Sequence, residues 1–388
     1  MVARLFLAPR HVVVTVVTVV TVARVERPFS QCGLERWFAA NATARIDLAS
    51  SGAPARSLAD LLSWADPSER SRIDKMSLGY GAGEGSLPLR SAIAAAHPTV
   101  RPDDVAVTCG AIEALHLSLA ALVAPGDDVI VQEPMYPAAV GIAEGRGARV
   151  VPWRLVPESG FRASIDELGD LVTPRTRVVV IAQPNGPSGS ILERDDLRAL
   201  AGVLAPRGVW LLSDEVYRDL VLEPGLSVCS AAEIYERAVT VGDVSKPYGL
   251  GGLRIGWLIS RDPDLRQRIA AHRDYTTISV PTISDALATI AIRHGQELLA
   301  KPLRNARSNL RQLEGIRRRT SLSFTTPRAG VTAFVRLPHA EEAQRRLARQ
   351  GVLMVPGALF GHPDRVRIGL AGSPAEFESG MRHLEQVA

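Results

Sequence analysis

The chain has 388 residues, with 45 Lys and Arg against 41 Asp and Glu, a formal charge of +4 with histidine neutral. At 46% hydrophobic and 22% charged residues it has ample apolar surface for a core, and its length suggests one larger and one smaller unit. Its arginines are spread among acids, as in "GIRRRT" and "AEEAQRRLARQ", which disfavours a concentrated nucleic-acid stripe.

The opening "HVVVTVVTVVTVARV" is low-complexity, and its apolar run from Val12 to Val22 is too short to span a bilayer. No small-x-small cleavage site follows, so a membrane partner is not expected. We treat residues 1–30 as an extension and expect the native start further along, at Val22 or Val25 read from a GTG codon. Residues 31–74 follow as an N-terminal arm that contributes to the smaller domain, with "GLERWFAANA" helical and "RIDLASSG" extended.

From "VAVTCG" onward strands and helices alternate. "DDVIVQEP", "ARVVPWRL", "TRVVVIAQP", "VWLLSDE", "AVTVGDVS" and "RIGWLIS" read as strands, and "EALHLSLAALVA", "AAVGIAEGRG" and "RDDLRALAGVLAPRG" as helices. Continuous β-branched runs such as Val178–Ile181 suit strands buried on both faces of a mostly parallel sheet. The expected fold is a three-layer α/β/α domain over 75–285 with a mostly parallel central sheet. A smaller α+β C-terminal domain over 286–388 is expected to follow. There a long helical stretch, "DALATIAIRHGQELLAKPLRNARSNLRQLEGI", precedes strands in "SLSFTTPRAGVTAFVRL", "GVLMVPG" and "RVRIGLA" and a final helix, "PAEFESGMRHLEQ". Cys32, Cys109 and Cys229 are widely spaced with no C-x-x-C, which points to a reducing cytoplasm rather than a disulfide framework or a zinc site.

In open parallel sheets ligands bind beyond the carboxyl ends of the strands. At one such end stands Lys246, in "VGDVSKPYGLGGLRIGW". Lysine occurs only at 75, 246 and 301, the other 42 basic residues being arginine. A chain that uses arginine wherever bare charge suffices has reason to use lysine where an amine must lose its proton. In "LLSDEVYRDL" the carboxylate of Asp214 ends a very apolar strand and needs a cation, while Tyr217 can aim a phenol at the same ligand. "TCGAIEAL" opens a helix at Gly110, offering the N–H groups of Gly110, Ala111 and Ile112 to an anion, and Arg254 and Ser245 can add donors. Each piece alone also reads as ordinary structure: a strand–helix turn, a helix cap, a surface ion pair. Together an acid for a ring cation, a lysine for an aldehyde and an anion cradle describe pyridoxal 5′-phosphate (PLP).

The set resembles the PLP-dependent aminotransferases of class I and II, fold type I, from about residue 34 to the C-terminus. That resemblance implies a Schiff base on Lys246, Asp214 on the pyridinium nitrogen, Tyr217 and Asn185 near the ring oxygen, and Tyr136 of "EPMYP" on the ring face. It implies Gly110, Ala111, Ile112, Ser245 and Arg254 around the phosphate, and Gly52 and Arg367 on the substrate α-carboxylate. Tyr80 in "LGYGAGEGSLPLR" would reach the partner subunit's cofactor, implying a homodimer with shared sites. The expected partners are an α-amino acid and a 2-oxo acid, reacting through external aldimine and quinonoid stages. Within the family, "LERWF", "IDLASSG", "PRAGVTAF", "RDYTTIS" and "GVLMVPGALFGHPDRVRIG" resemble capreomycidine synthases. This gives a second expectation, β-elimination and cyclisation of a hydroxyarginine, and a basic or guanidino substrate for either chemistry. A non-catalytic PLP-binding protein is the third. Two departures stand out in the chain: Gly186 where the family has asparagine, and Asp243 where it has serine or threonine.

Overall fold

The structure is a computed structural model and describes residues 29–41 and 43–387; the low-complexity opening and the expected starts at Val22 and Val25 lie outside them. The chain first forms a helix, Gly33–Ala40, and a short strand β1 (Ile46–Asp47). Seven strands then build the main sheet: β2 (Val105–Thr108), β3 (Asp128–Glu133), β4 (Arg149–Arg154), β5 (Thr176–Ala182), β6 (Trp210–Asp214), β7 (Ala238–Asp243) and β8 (Gly256–Ile259). Their order is β2-β8-β7-β6-β5-β3-β4. The five strands from β7 to β4 are mutually parallel, and β8 runs antiparallel to both its neighbours. This is the expected mostly parallel α/β sheet. Val178–Ile181 of β5 have no exposed surface, as strands covered on both faces must be.

One core cluster joins Leu115, Leu119, Val129, Val180 and Leu212 on one side of the sheet; another joins Ile130, Trp153, Leu197, Leu200 and Leu211 on the other. A third cluster packs the C-terminal sheet, in which β12 (Arg365–Gly369) lies between β9 (Thr332–Arg336) and β11 (Val355–Pro356), all antiparallel.

Two expectations need correction. The long helical stretch is broken at His294 into Thr282–Arg293 and Gly295–Arg317. "SLSFTTPRAGVTAFVRL" is not strand throughout: only Thr332–Arg336 is, because Pro327 and the left-handed Gly330 (φ 75°) interrupt it, leaving Ser323 a lone bridge to Arg336.

The arm residues do more than lead into the main sheet. β1 pairs in parallel with β10 (Val352–Leu353), and Ile46 and Leu48 enter the C-terminal core. Just beyond, the backbone crosses β12 so closely that Gly369 N–H donates to Leu48 O at 2.7 Å and a Cβ on Gly369 would collide with the Ser50 carbonyl. Gly369→Ala should therefore lower stability by about 1–3 kcal/mol, read as a drop in the urea midpoint. Gly372→Ala, with nothing within 4 Å of its added methyl, should leave it in place.

Candidate active site

The parallel strands β6 and β7 end side by side on Asp214 and Asp243, and a single helical turn, Ser245–Tyr248, follows β7 and carries Lys246. Asp243 Oδ1 accepts the backbone N–H groups of Ser245 and Lys246, both at 3.0 Å. An acid is tolerated at 243 for this reason: it caps the turn that presents the lysine. Lys246 Nζ points toward Ser51 Oγ, 3.4 Å away, and Ala53 N–H donates to the Lys246 carbonyl at 2.8 Å.

A cavity of about 400 Å³ opens above these strand ends, within the range of small-molecule sites. Lys246, Asp214, Asp243 and Ser245 line it, together with Tyr136 and Tyr217. Ala111, Ile112 and Arg254 close one side; Arg367, Phe360 and Thr332 close another. Glu35 and Phe38 reach in from the first helix.

Charge in this cavity is poorly matched by the protein itself. Asp214 is 6% exposed, accepts only the Val216 N–H at 3.3 Å, and burial pushes its carboxyl up to about 7, with neighbouring Asp243 adding to the rise. Burial also raises Asp243. Arg367 is 5% exposed; its Nη2 donates to the Ala49 carbonyl at 2.9 Å, its Nε has no partner, and burial lowers its pKa. Among the described residues none of Asp214, Asp243, Lys246, Arg254 and Arg367 has an opposite charge within 4.0 Å. Ser245 Oγ is buried without a partner. Such groups call for a ligand with an anion at each end and a cation between.

Gly110 and Arg254 show how the anion end is shaped. Gly110 opens the helix Gly110–Leu122 with φ 77°, and a Cβ there would collide with the Arg254 guanidinium. Arg254 itself holds a left-handed backbone (φ 53°), an arrangement that costs about 1–3 kcal/mol and is kept where it aims a side chain. Glu113 steadies this helix end, accepting Cys109 N–H at 2.6 Å and the hydroxyls of Thr276 and Thr277 at 2.8 and 2.6 Å. The orphaned Ser245 hydroxyl, the Gly110–Arg254 cradle and the uncompensated Asp214 fit a phosphorylated pyridinium ring, as PLP requires.

Not every expected residue arrives. Asn185 does not line the cavity: its amide donates to Gln132 Oε1 (3.0 Å) and Pro134 O (2.9 Å), and its carbonyl accepts from Ser188 (2.7 Å), so it locks a buried loop. The Gly186 departure has a physical reason. A Cβ there would lie 2.9 Å from Tyr217 Cε2, so the tyrosine ring fills the room an asparagine would use. Gly52 likewise stands behind the cavity, where a Cβ would press on Lys246 Cα at 3.0 Å, and the neighbouring Ser51 lines it instead. Tyr80 is 90% exposed and does not line its own chain's cavity. Glu35, Phe38, Ser51, Thr332 and Phe360 were not singled out in the sequence; the only signal was that they lie in the "LERWF", "IDLASSG", "GVTAF" and "GALFG" stretches that carry the resemblance.

The family model described as aminotransferase class I and II matches residues 46–384. Capreomycidine synthase of Streptomyces vinaceus is 36% identical over 369 residues, 91% of each chain. The arginine–pyruvate transaminase of Pseudomonas aeruginosa is 32% identical over 345 residues, 83% of this chain and 86% of that protein. Among solved structures, a PLP-dependent aminotransferase from Streptococcus suis superposes with a TM-score of 0.87 at 29% identity, covering 92% of this chain and 97% of the other.

The buried acids make the cofactor-free protein pH-sensitive in a defined direction. Asp214 and Glu215 are both pushed up to about 7 by burial, so between about pH 4 and 7 the folded protein holds protons that the unfolded chain has released. The stability they contribute is complete below pH 4 and is lost as pH rises through 7. Melting temperatures of the apoprotein should fall over that window, and Asp214→Asn should flatten part of the slope; an identical slope in the variant would exonerate Asp214.

Proposed function

This chain belongs to the class I and II aminotransferases and is a PLP-dependent enzyme; from that premise we propose that it transfers the amino group of a basic or guanidino α-amino acid to a 2-oxo acid. The observation that carries the reading is the buried, unpaired Arg367 sharing one cavity with Lys246 and Asp214. A guanidinium with no internal anion is a carboxylate receptor, because its fork matches a carboxylate bidentately. The basic side chain of the substrate is inferred from two relatives, one named for arginine and one for capreomycidine.

Bound PLP would supply the electron sink that makes an amino-acid Cα proton removable. Every other duty falls on side chains. Lys246 Nζ is the attachment amine; once the substrate amine replaces it, the same nitrogen takes the Cα proton as a general base and returns it as an acid. Asp214 would pair with the ring nitrogen and favour its protonated form. Ser245, Arg254 and the N–H groups of Ala111 and Ile112 would hold the phosphate, and Arg367 would hold the α-carboxylate in the cavity it shares with Lys246. Tyr136 and Tyr217 line the same cavity and would contact the ring when it is bound.

A second reading keeps these residues and changes the outcome: loss of a β-hydroxyl from a hydroxyarginine and closure by a guanidine nitrogen. The 36% identity to capreomycidine synthase over 91% of the chain favours it. With arginine and pyruvate, transamination yields alanine; with 3-hydroxyarginine, elimination consumes substrate with no alanine formed whatever 2-oxo acid is present. We expect alanine, and we expect Lys246→Ala to lose at least about 1,000-fold in turnover. Lys246→Ala turning over at the parent rate would sink both readings.

We further propose that the enzyme works in the cytoplasm as a homodimer in which Tyr80 reaches the partner's site. Tyr80, Leu78, Tyr275 and Ile278 are all more than half exposed on two loops, the second following the helix Pro263–Arg273 whose Arg273 donates to the Gly83 carbonyl, and they offer an apolar surface suited to a second copy. The free thiols accord with a reducing compartment. Sedimentation should show a dimer, and Tyr80→Ala should weaken PLP retention without removing Lys246.

A further inference from the structure

We propose that Glu35 receives the cationic end of the substrate side chain and is what selects a guanidino or amino group over a neutral one. The inference rests on the reading that this cavity binds an α-amino acid, and it assigns the residue that reads the far end. Glu35 lies in the helix Gly33–Ala40, whose Leu34 is anchored at 2% exposure among Phe334, Val355 and Phe360. That anchor turns Glu35 and Phe38 into the cavity shared with Arg367 and Lys246.

The accounting of charge isolates this carboxylate. On that reading Arg254 is taken by the phosphate, Arg367 by the α-carboxylate and Asp214 by the ring nitrogen, while Asp243 has one oxygen bonded to two backbone N–H groups. Glu35 is the lining acid left without a role. Among the described residues no cation lies within 4.0 Å of it, although the chain carries 42 arginines that pair readily elsewhere. Its Oε1 accepts the Tyr136 hydroxyl at 2.8 Å, and Oε2 has no hydrogen-bond partner among the described residues. Glu35 is exposed at the cavity's mouth, held through one oxygen by the Tyr136 hydroxyl, and its other oxygen is open to the fork of a guanidinium.

Its surroundings fit the rest of such a side chain. Phe38 of the same helix lines the cavity with Leu115 and offers apolar surface to a run of methylenes. Arg367 stacks against Phe38 and Phe360, 5.9 and 5.3 Å from the ring centres, so the carboxylate receptor and Glu35 share one aromatic wall. A ligand with an anion at one end and a cation at the other is matched at both.

The test compares arginine with citrulline, its neutral isostere, through dissociation constants read from the cofactor absorbance of the holoenzyme. This works whichever reaction follows binding. Glu35→Gln keeps an acceptor for Tyr136 while removing the charge; it should weaken arginine by about 10- to 100-fold and citrulline by less than about threefold. Tyr136→Phe removes the hydroxyl and should leave the arginine-to-citrulline ratio close to that of the parent. Equal losses for both ligands in Glu35→Gln, or the same change of ratio in Tyr136→Phe, would make Glu35 a support for the tyrosine and overturn the inference. If the parent binds arginine and Glu35→Gln binds it equally well, the inference fails while the basic-substrate reading stands. If the parent binds no basic amino acid, that reading fails too.

Discussion

Everything in this molecule is arranged around charges that are buried before their partners arrive. Asp214 and Asp243 end adjacent strands, Arg367 lines the same cavity, and none meets an opposite charge within 4.0 Å among the described residues. Removing such groups from water is expensive, and the expense is borne by extensive apolar packing on both faces of the main sheet and in the C-terminal unit. Stability and readiness are therefore divided between regions. The sheets hold the frame, and the strand ends hold unsatisfied polarity.

This division explains why much of the fold and part of the site could be read from residues alone. β5 and β6 were legible because unbroken β-branched and aliphatic runs have few other uses at that length. Lys246 was legible because lysine is so rare here, and Asp214 because an acid ending an apolar strand needs a reason. What escaped was whatever depends on chain segments meeting. Glu35 and Phe38 enter through the packing of Leu34 against Phe334 and Phe360, a contact no local pattern announces. Asn185 was misplaced for the opposite reason. Its type suited the ring oxygen, but its neighbours Gln132 and Pro134 bind it from elsewhere in the chain.

The two departures from the family pattern prove to be linked to their surroundings rather than to defects of the site. Gly186 makes room for the ring of Tyr217, and Asp243 replaces a hydroxyl with a carboxylate that caps the lysine-bearing turn. In both places one side chain has taken over space or bonds that another would have used. The local chemistry of the cavity is thus shared out differently, while Asp214 and Arg367 stay on the strands β6 and β12 and Lys246 on the turn after β7.

The arm from β1 to Ala53 has a consequence for how the enzyme is made. It is laid down early in synthesis, yet β1 pairs with β10, and Arg367 Nη2 bonds the Ala49 carbonyl across 318 residues of chain. Contacts of that span form late, since long loops must close first. The strands β2–β8 and Lys246 precede those late segments in the chain, and the wall that carries Arg367 and Ser51 needs β12 in place. Amino-acid binding is in this sense a property of the completed polypeptide, and a chain truncated before β12 would carry the lysine without the receptor that gives it a substrate.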